Sequence, residues 1–356
     1  MIKLLHSADW HLDSPLQGRT EAQARYLRDA LQQLPRMVVE AARAEGCNMI
    51  LLSGDLFDGP CSPESLQTVS RALQEAQMPV LIAPGNHDPY RMGSCWQQHI
   101  WPENVHIFSG GQLQSVALPE LDCRVYGCAF TGPYMDGLPQ PLRAQGPERF
   151  HIAVLHADPT LPDSPYCPIT AEQVRESGLD YLGLGHIHKA GSFRAGSALC
   201  AWPGCPMGRG FDECGEKGVL IVTLDETAEA RFLPLDVTRF HDFTVVIDTD
   251  PAAALAASLP PAAHDDYFRI TLTGESPVTD IADLRRQFSQ YQHLELIDKT
   301  VTPVDLWATA GEDTLEGIYF QLLREQLDSD PGRADQIRLA AKISRKLLDG
   351  QEVVLP

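Results

Sequence analysis

The stretch Asn48-Met-Ile-Leu-Leu-Ser-Gly-Asp-Leu-Phe-Asp58 decides how the rest of the chain is read. Its apolar run, Met49 to Leu52, has the length and composition of a short buried strand, and it stops at Ser53-Gly54. Two carboxylates follow, Asp55 and Asp58, separated by Leu56 and Phe57. Open α/β sheets place their ligands at the carboxyl ends of their strands, where these acids stand. One such strand end means little. The chain repeats the arrangement at Asp9-Trp-His11, Gly85-Asn-His-Asp88, His156 and Gly185-His-Ile-His188, each after an apolar run.

Working outward, residues 2–8 read as a first strand. Residues 20–44 have a helical period, with Pro35 as a kink or break. Ser62-Pro-Glu-Ser opens a second helix, with Ser62 as N-cap and Pro63 at the first helical position. Residues 79–84 form a third strand, so the order is β-α-β-α-β, a sheet flanked by helices. Residues 105–130 give short strand-like pieces; 150–155 and 180–184 are strands ending at His156 and at Gly185-His186. Residues 218–224 and 230–235 are expected to be antiparallel strands closing a second sheet. The fold class is α/β, an α+β sandwich of two packed mixed β-sheets flanked by helices, over residues 1–238. Residues 239–303 carry a smaller β-α-β-α-β pattern, expected as a capping domain. Residues 304–356 carry two amphipathic helices around Asp330-Pro-Gly332, a candidate partner-docking segment.

Composition sets bounds on function. The 356 residues leave room for a catalytic domain and a smaller one, and 44% hydrophobic with 21% charged residues is ordinary for a globular protein. No apolar run approaches the roughly 20 residues of a membrane span. The N-terminus lacks a signal peptide's apolar core, so a cytoplasmic protein with no membrane partner is expected. Nine scattered cysteines without a Cys-x-x-Cys suit reduced thiols better than disulfides or a zinc knuckle. The formal charge of −20 argues on its face against a nucleic-acid partner. One basic groove can still coexist with an acidic remainder, and part of the acidity can line a cation site.

The strand ends together supply acids, an asparagine and five of the twelve histidines. Taken singly, each motif is an ordinary turn, since Asn, Asp and Gly favour turns anyway. Together they form an oxygen and imidazole ligand set too large for one metal and without the thiolates of a structural zinc site. It suits two divalent ions, Mn²⁺ first, with Fe²⁺ or Mg²⁺ as alternatives. A ligand shared by two ions must be anionic with two free oxygens, and Asp55 is the natural bridge. Glycines before Asp55, Asn86 and His186 are expected to let the backbone turn sharply. His6, His99, His106, His151, His241, His264 and His293 read as core or surface histidines.

Asp9-x-His11, Gly54-Asp55-Leu-Phe-Asp58, Gly85-Asn86-His87-Asp88, His156 and Gly185-His186-x-His188 resemble the calcineurin-like metallophosphoesterase superfamily. Within it, Ser7-Ala-Asp-Trp-His-Leu-Asp-Ser-Pro15, the Gly-Asp-Leu-Phe-Asp form and Pro203-Gly-Cys…Gly215-Glu-Lys-Gly218 resemble the SbcD/YhaO-type DNA repair exonucleases. The resemblance spans about residues 1–220. It implies one ion held by Asp9, His11, Asp55 and His188, and a second held by Asp55, Asn86, His156 and His186. It implies that His87 faces the scissile phosphate as general acid or charge stabiliser, oriented by Asp58 or Asp88. Two such ions lower the pKa of a shared water and clamp both oxygens of an in-line displacement. Many archaeal and eukaryotic relatives carry His where this chain has Asp58, which favours the bacterial branch and leaves the role of Asp58 open.

The first expectation is a Mn²⁺-dependent DNA exo- or endonuclease of DNA repair. Arg19, Arg91, Lys189, Arg194, Arg209 and Lys217 are candidate phosphate contacts, and Tyr90 and Trp96 candidate guides for a strand end, with Trp10 read first as a core residue. The alternatives are a small-molecule or nucleotide phosphoesterase with the same site, or a metal-free adaptor. By resemblance the C-terminal helices dock on an SbcC- or YhaN-like coiled-coil ATPase, and a homodimer is expected of the family.

Overall fold

The computed structural model describes residues 1–261, 265–276, 278–302 and 305–350. His264 and residues 351–356, which end the candidate docking segment, lie outside them. The chain falls into two compact units. One comprises Met1–Phe243, Ala262–Arg269 and Gln290–Glu295; the other comprises Thr244–Pro261, Ile270–Ser289 and Leu296–Pro356.

The chain opens with β1 (Ile2–Ser7), α1 (Glu21–Leu31), α2 (Leu34–Ala44), β2 (Met49–Leu52), α3 (Pro63–Glu75) and β3 (Val80–Ile82). Pro35 bends no long helix. It sits in the first turn of α2, where its missing N–H costs nothing, and α1 has already ended. Short α4 (Cys95–Gln98), β4 (Val105–Ile107), β5 (Gln114–Leu118) and β6 (Cys123–Gly127) follow. Next come β7 (Phe150–His156), α5 (Ala171–Glu176), β8 (Tyr181–Gly185), β9 (Lys189–Ala195) and β10 (Ala198–Gly204). The strands β11 (Gly218–Leu224) and β12 (Ala228–Pro234) complete this series.

Among the described residues these strands form two six-stranded sheets, ordered β12-β11-β1-β2-β3-β4 and β5-β6-β7-β8-β10-β9. The expected sandwich is present, with one correction: β11 and β12 do not close the second sheet. They extend the first, β11 pairing antiparallel with β1 so that Leu4 faces Val222 and His6 faces Leu220. The Gly218–Leu224 run is buried almost throughout, as suits a strand with neighbours on both sides. The β9–β10 hairpin takes the edge of the second sheet instead. Its first strand, Lys-Ala-Gly-Ser-Phe-Arg-Ala, is half exposed and lacks the apolar run that marks a strand in sequence.

The β2 strand shows why the layers stack. Met49 and Leu51 join Leu4 and Leu81 against Val125, Ile152 and Val154 of the second sheet. Ile50 and Leu52 point the other way, into Leu27, Val38 and Val69 of α1, α2 and α3. All four β2 side chains are fully buried, each worth about 1.5–3 kcal/mol relative to exposure. On the outer face of the second sheet, Leu155, Leu182 and Leu184 pack with Val174 of α5. Because β1, β2 and β3 run parallel, the segments after Ser7, Leu52 and Ile82 leave one edge side by side. The parallel pair β7 and β8 likewise delivers His156 and Gly185 in register.

The remaining elements are β13 (Phe240–Val246), α6 (Pro251–Ser258), β14 (Tyr267–Thr273), α7 (Ile281–Gln287), β15 (His293–Asp298), α8 (Leu315–Ser329) and α9 (Ala334–Leu348). The strands form a sheet in the order β13-β14-β15. Helices α8 and α9 pack through buried Phe320, Ile337 and Ala341, with Arg345 paired to Glu316 and Tyr319 bonded to Ser344 at 2.7 Å. Leu315, Ile318, Leu322, Leu347 and Leu348 remain exposed. No helix among the described residues is long and apolar enough to cross a membrane.

Candidate metal centre

The residues at the strand ends are held in unusual backbone conformations. Asp9, His11, Asp55 and His186 have φ of 55°, 48°, 51° and 87°, a region that costs a non-glycine residue about 1–3 kcal/mol. Backbone bonds hold two of them there: Asp9 N–H donates to Gly54 O and His11 N–H to Asp55 O, both at 3.0 Å. Of the three glycines expected to turn the chain, only Gly54 has a left-handed φ, +84°. Gly85 and Gly185 serve a different need, room. A Cβ on Gly85 would lie 2.2 Å from Asp55 Oδ1, and one on Gly185 2.0 Å from Ser53 O.

Two groups of donors converge. Asp9, His11 and His188 bring ligand atoms within 4.8 Å of one another, and so do Asp9, Asp55 and His156. Asp55 Oδ2 faces both groups, 3.8 Å from His11 Nε2 and 3.2 Å from His156 Nε2. Asn86 Oδ1 lies 2.9 Å from His156 Nε2. The backbone N–H of His186 reaches the Asp9 carboxylate at 3.0 and 3.2 Å, while its ring centroid lies 5.3 Å from that of His156. Asp9 and Asp55 are almost fully buried, and among the described residues no Lys or Arg pairs with either. Buried anions need partners.

The donor set fits divalent cations on the chemistry of its nitrogens. Ser53 O accepts from His156 Nδ1–H at 2.8 Å, so Nε2 is the nitrogen turned toward Asp55 Oδ2 and Asn86 Oδ1. Burial alone would lower the His156 pKa, but the Asp55 charge overcomes it and raises it, while the same imidazole helps hold the Asp55 carboxyl low. A proton on Nε2 thus stands where a cation would. At the other group, Glu213 Oε1 accepts a hydrogen bond from His188 Nδ1–H at 2.6 Å, which leaves His188 Nε2 turned inward, 3.2 Å from His11 Nε2. Two imidazole nitrogens aimed at one point suit a shared ion, and the outward Nδ1 bonds of His188 to Glu213 and of His156 to Ser53 O are those of metal-bound histidines.

The rim is built differently. His87 is 46% exposed in its side chain, and its Nδ1 meets Asp58 Oδ1 at 2.7 Å. Asp58 raises the His87 pKa against partial burial, and the imidazoles of His11 and His87 hold the Asp58 carboxyl well below its usual range. Of the two acids expected to orient His87, the structure puts Asp58 there and Asp88 elsewhere. Asp88 accepts backbone N–H groups from Gly85, Asp55, Leu56 and Phe57 at 2.7–3.2 Å, pinning the turn after β2 to the turn after β3. Burial and the Asp55 charge push its carboxyl up, against N–H donors that favour the anion.

Residues 2–190 match the calcineurin-like phosphoesterase family. The chain belongs to that family. The chain is 33% identical over 236 residues to YhaO of Bacillus subtilis (strain 168), described as an uncharacterized metallophosphoesterase; the match covers 62% of this chain and 57% of YhaO. It is 25% identical over 273 residues to SbcD, a subunit of the nuclease SbcCD from the same organism, covering 65% of this chain and 68% of that one. The likeness lies with the SbcD/YhaO-type branch, and the chain spans little more than half of YhaO's length. A crystal structure of TT1561 from Thermus thermophilus aligns with a TM-score of 0.41 at 13% identity, over 65% of this chain and 98% of that one.

Two residues of the site, Ser53 and Glu213, and the internal role of Arg209 were not read from the sequence. Arg209 bonds Glu213 at 2.7 Å and lies 3.5 Å from Asp58 Oδ2, so it joins the His188 side of the site to the rim. Burial opposes ionisation of Glu213, but His188 and Arg209 outweigh it and hold the carboxyl well below its usual range. The only sequence signal for Glu213 is an acid within a glycine-rich stretch, Gly208 to Gly218. Several expected DNA contacts are committed internally. Lys217 is buried with Nζ on Cys205 Sγ, and Arg194 donates to the Ala228 carbonyl. Trp10 and Trp96 are core residues, bonded to Ser7 Oγ and the Asp88 carbonyl.

Proposed function

We propose that this phosphoesterase is a two-metal phosphodiesterase that cuts DNA, an exo- or endonuclease of DNA repair in the cytoplasm. What supports this reading most is the pairing of a donor set of buried Asp9, His11, Asp55 and His156 and half-buried His188 with an exposed His87, held by Asp58, at its rim. Asp9, His11, Asp55 and His188 would hold one ion; Asp55, Asn86, His156 and His186 would hold the other, with Mn²⁺ the favoured metal. Bound divalent ions lower the pKa of water and stabilise the attacking and leaving oxygens of phosphoryl transfer. The chain's own residues do the rest. Ser53 O and Glu213 keep the inner lone pairs of His156 and His188 turned inward. Asp58 anchors His87 Nδ1, which leaves Nε2 to protonate the leaving oxygen or to steady its charge.

The relative SbcD is named as one subunit of a two-part nuclease, and this supports a similar partnership here. In this reading residues 1–238 carry the chemistry. Residues 239–303 form the small α/β domain, and 304–356 dock an SbcC- or YhaN-like ATPase through the exposed leucines of α8 and α9. Deleting 313–356 should then abolish the complex while sparing cleavage of simple substrates; a complex that survives the deletion removes the docking proposal. The net charge of −20 favours a second reading, a small-molecule or nucleotide phosphoesterase. One assay separates them. The purified protein is incubated with Mn²⁺ and labelled single- and double-stranded DNA, in parallel with nucleotide monoesters. Cleavage of DNA is expected, and a protein that consumes nucleotides while leaving DNA intact would overturn the nuclease reading.

A further inference from the structure

A cleft of about 660 Å³ opens beside the metal centre, lined by Ser14–Arg19 on one side and by Arg209–Glu213 with Arg269 on the other. It borders the site through two of its lining residues, because Glu213 bonds His188 and Arg209 reaches Asp58. Its volume falls in the range that accepts a small ligand or one unit of a polymer.

The charges in this cleft are unequal. Arg209 is neutralised by Glu213 and Asp58, and Arg269 by Glu295 and Asp242. Arg19 has no such partner: among the described residues no carboxylate lies within ion-pair distance of it, and its hydrogen bond, at 3.2 Å, goes to the Arg209 carbonyl. Its guanidinium is held in place by rings, 5.0 Å from Phe240, 5.4 Å from Tyr267 and 5.5 Å from Phe211. Phe211 is itself covered by Arg269 at 4.1 Å. A guanidinium fixed by aromatic faces has lost its freedom in advance and keeps unused N–H donors, which is what recognition of a phosphate requires.

We propose that Arg19 is a binding residue for a phosphate of the substrate strand next to the one being cut, with the cleft holding the nucleotide that carries it. The inference rests on the nuclease reading and deepens it: it places the flanking backbone on the Arg19 side of the metal centre. A chain of net charge −20 repels a phosphodiester backbone as a whole, so a cation beside the site with no carboxylate partner among the described residues carries weight in holding it.

The test is anisotropy of a fluorescein-labelled single-stranded thymidylate oligonucleotide, titrated with the full chain in chelator at several salt concentrations. Arg19→Gln should weaken binding about tenfold. It should also flatten the slope of log K against log salt by about 0.7, the share of one contact on a single strand. Arg19→Lys, which restores the charge, should recover the slope. If Arg19→Gln does not fold, Arg19→Met keeps the stem packed on Phe240 and carries the same expectation. Unchanged affinity and slope in these variants would overturn the proposal. Cleavage by the wild-type protein with Mn²⁺ is scored separately. An oligonucleotide bound through Arg19 but not cut leaves Arg19 as a phosphate-binding residue, while it removes the nuclease reading and with it the placement of that phosphate beside a cut bond.

Discussion

Asp55 and Asp58 leave the same strand end three residues apart, yet their side chains are 2% and 18% exposed and keep different company. Asp55 is enclosed by His156, His11 and the backbone N–H of His87, in an inner half where buried carboxylates have imidazoles as partners and no fixed cation. Asp58 belongs to a rim with His87 and Arg209, where every charge already has a protein counter-charge. The difference teaches how the labour is divided. An anion buried without a guanidinium or ammonium leaves room for a divalent ion, whereas a carboxylate already satisfied by an imidazole is placed to orient it.

If that division is right, substitutions in the two halves separate metal content from rate. Asp55→Asn should have the largest effect. It removes the anion that faces both donor groups, so elemental analysis should find the metal gone and phosphodiester hydrolysis at background. A variant that kept its metal would break the assignment of the inner half. His87→Ala should lower the rate about 10²–10⁴-fold and leave the bound metal unchanged, since the rim contributes proton transfer and orientation. Loss of metal in that variant would erase the distinction between the halves. Glu213→Gln lies between them. It removes the negative partner of His188 without disturbing the ligands themselves, and it should weaken metal binding about 10–100-fold, measured by competition with a chelating dye.

Much of the inner half was legible in the sequence because each element obeys a local rule. A buried run of Met49-Ile-Leu-Leu52 ends and a polar ligand type follows within a few residues; the same pattern of an apolar run before a ligand yields Asp9, Asn86, His156 and His186. The places where the reading failed share a physical cause: they depend on contacts remote in sequence. The placement of β11 beside β1 joins residues more than 200 positions apart, and nothing local in Gly218–Leu224 says which sheet it enters. Asp88 looked equivalent to Asp58 because it follows His87 directly in sequence, but only the turn after β2, packed over it, shows that its carboxylate is consumed by backbone N–H groups. Glu213 and Arg209 reach the site on a loop with no apolar run to flag it. The glycines illustrate the same limit: sequence suggested freedom to turn, and at Gly85 and Gly185 the requirement is the approach of another segment.

The smallest expected effect concerns His6, beneath the inner half. Its Nε2 lies 2.7 Å from Ser53 Oγ, which donates to the Gly183 carbonyl at 3.2 Å; its Nδ1 lies 2.7 Å from the Tyr181 hydroxyl. Because Ser53 spends its proton on Gly183, His6 Nε2–H donates to Ser53 and Nδ1 accepts from Tyr181. The neutral ring therefore ties β1 to β8, across the two sheets, under the residue whose carbonyl orients His156. Burial drives the His6 pKa from 6.5 down to about 3. Between those values the unfolded chain binds a proton that the folded chain refuses. The stabilisation is then complete above about pH 6.5 and falls as pH drops toward 3, by at most about 1.4 kcal/mol per pH unit. His6→Gln removes this titration, so thermal melts should show the wild-type advantage at pH 7 shrinking steadily as the pH falls to 4. A gap that stays constant with pH would mean that acid acts on the inner half itself, through protonation of its ligands, and that the tie beneath it takes no part.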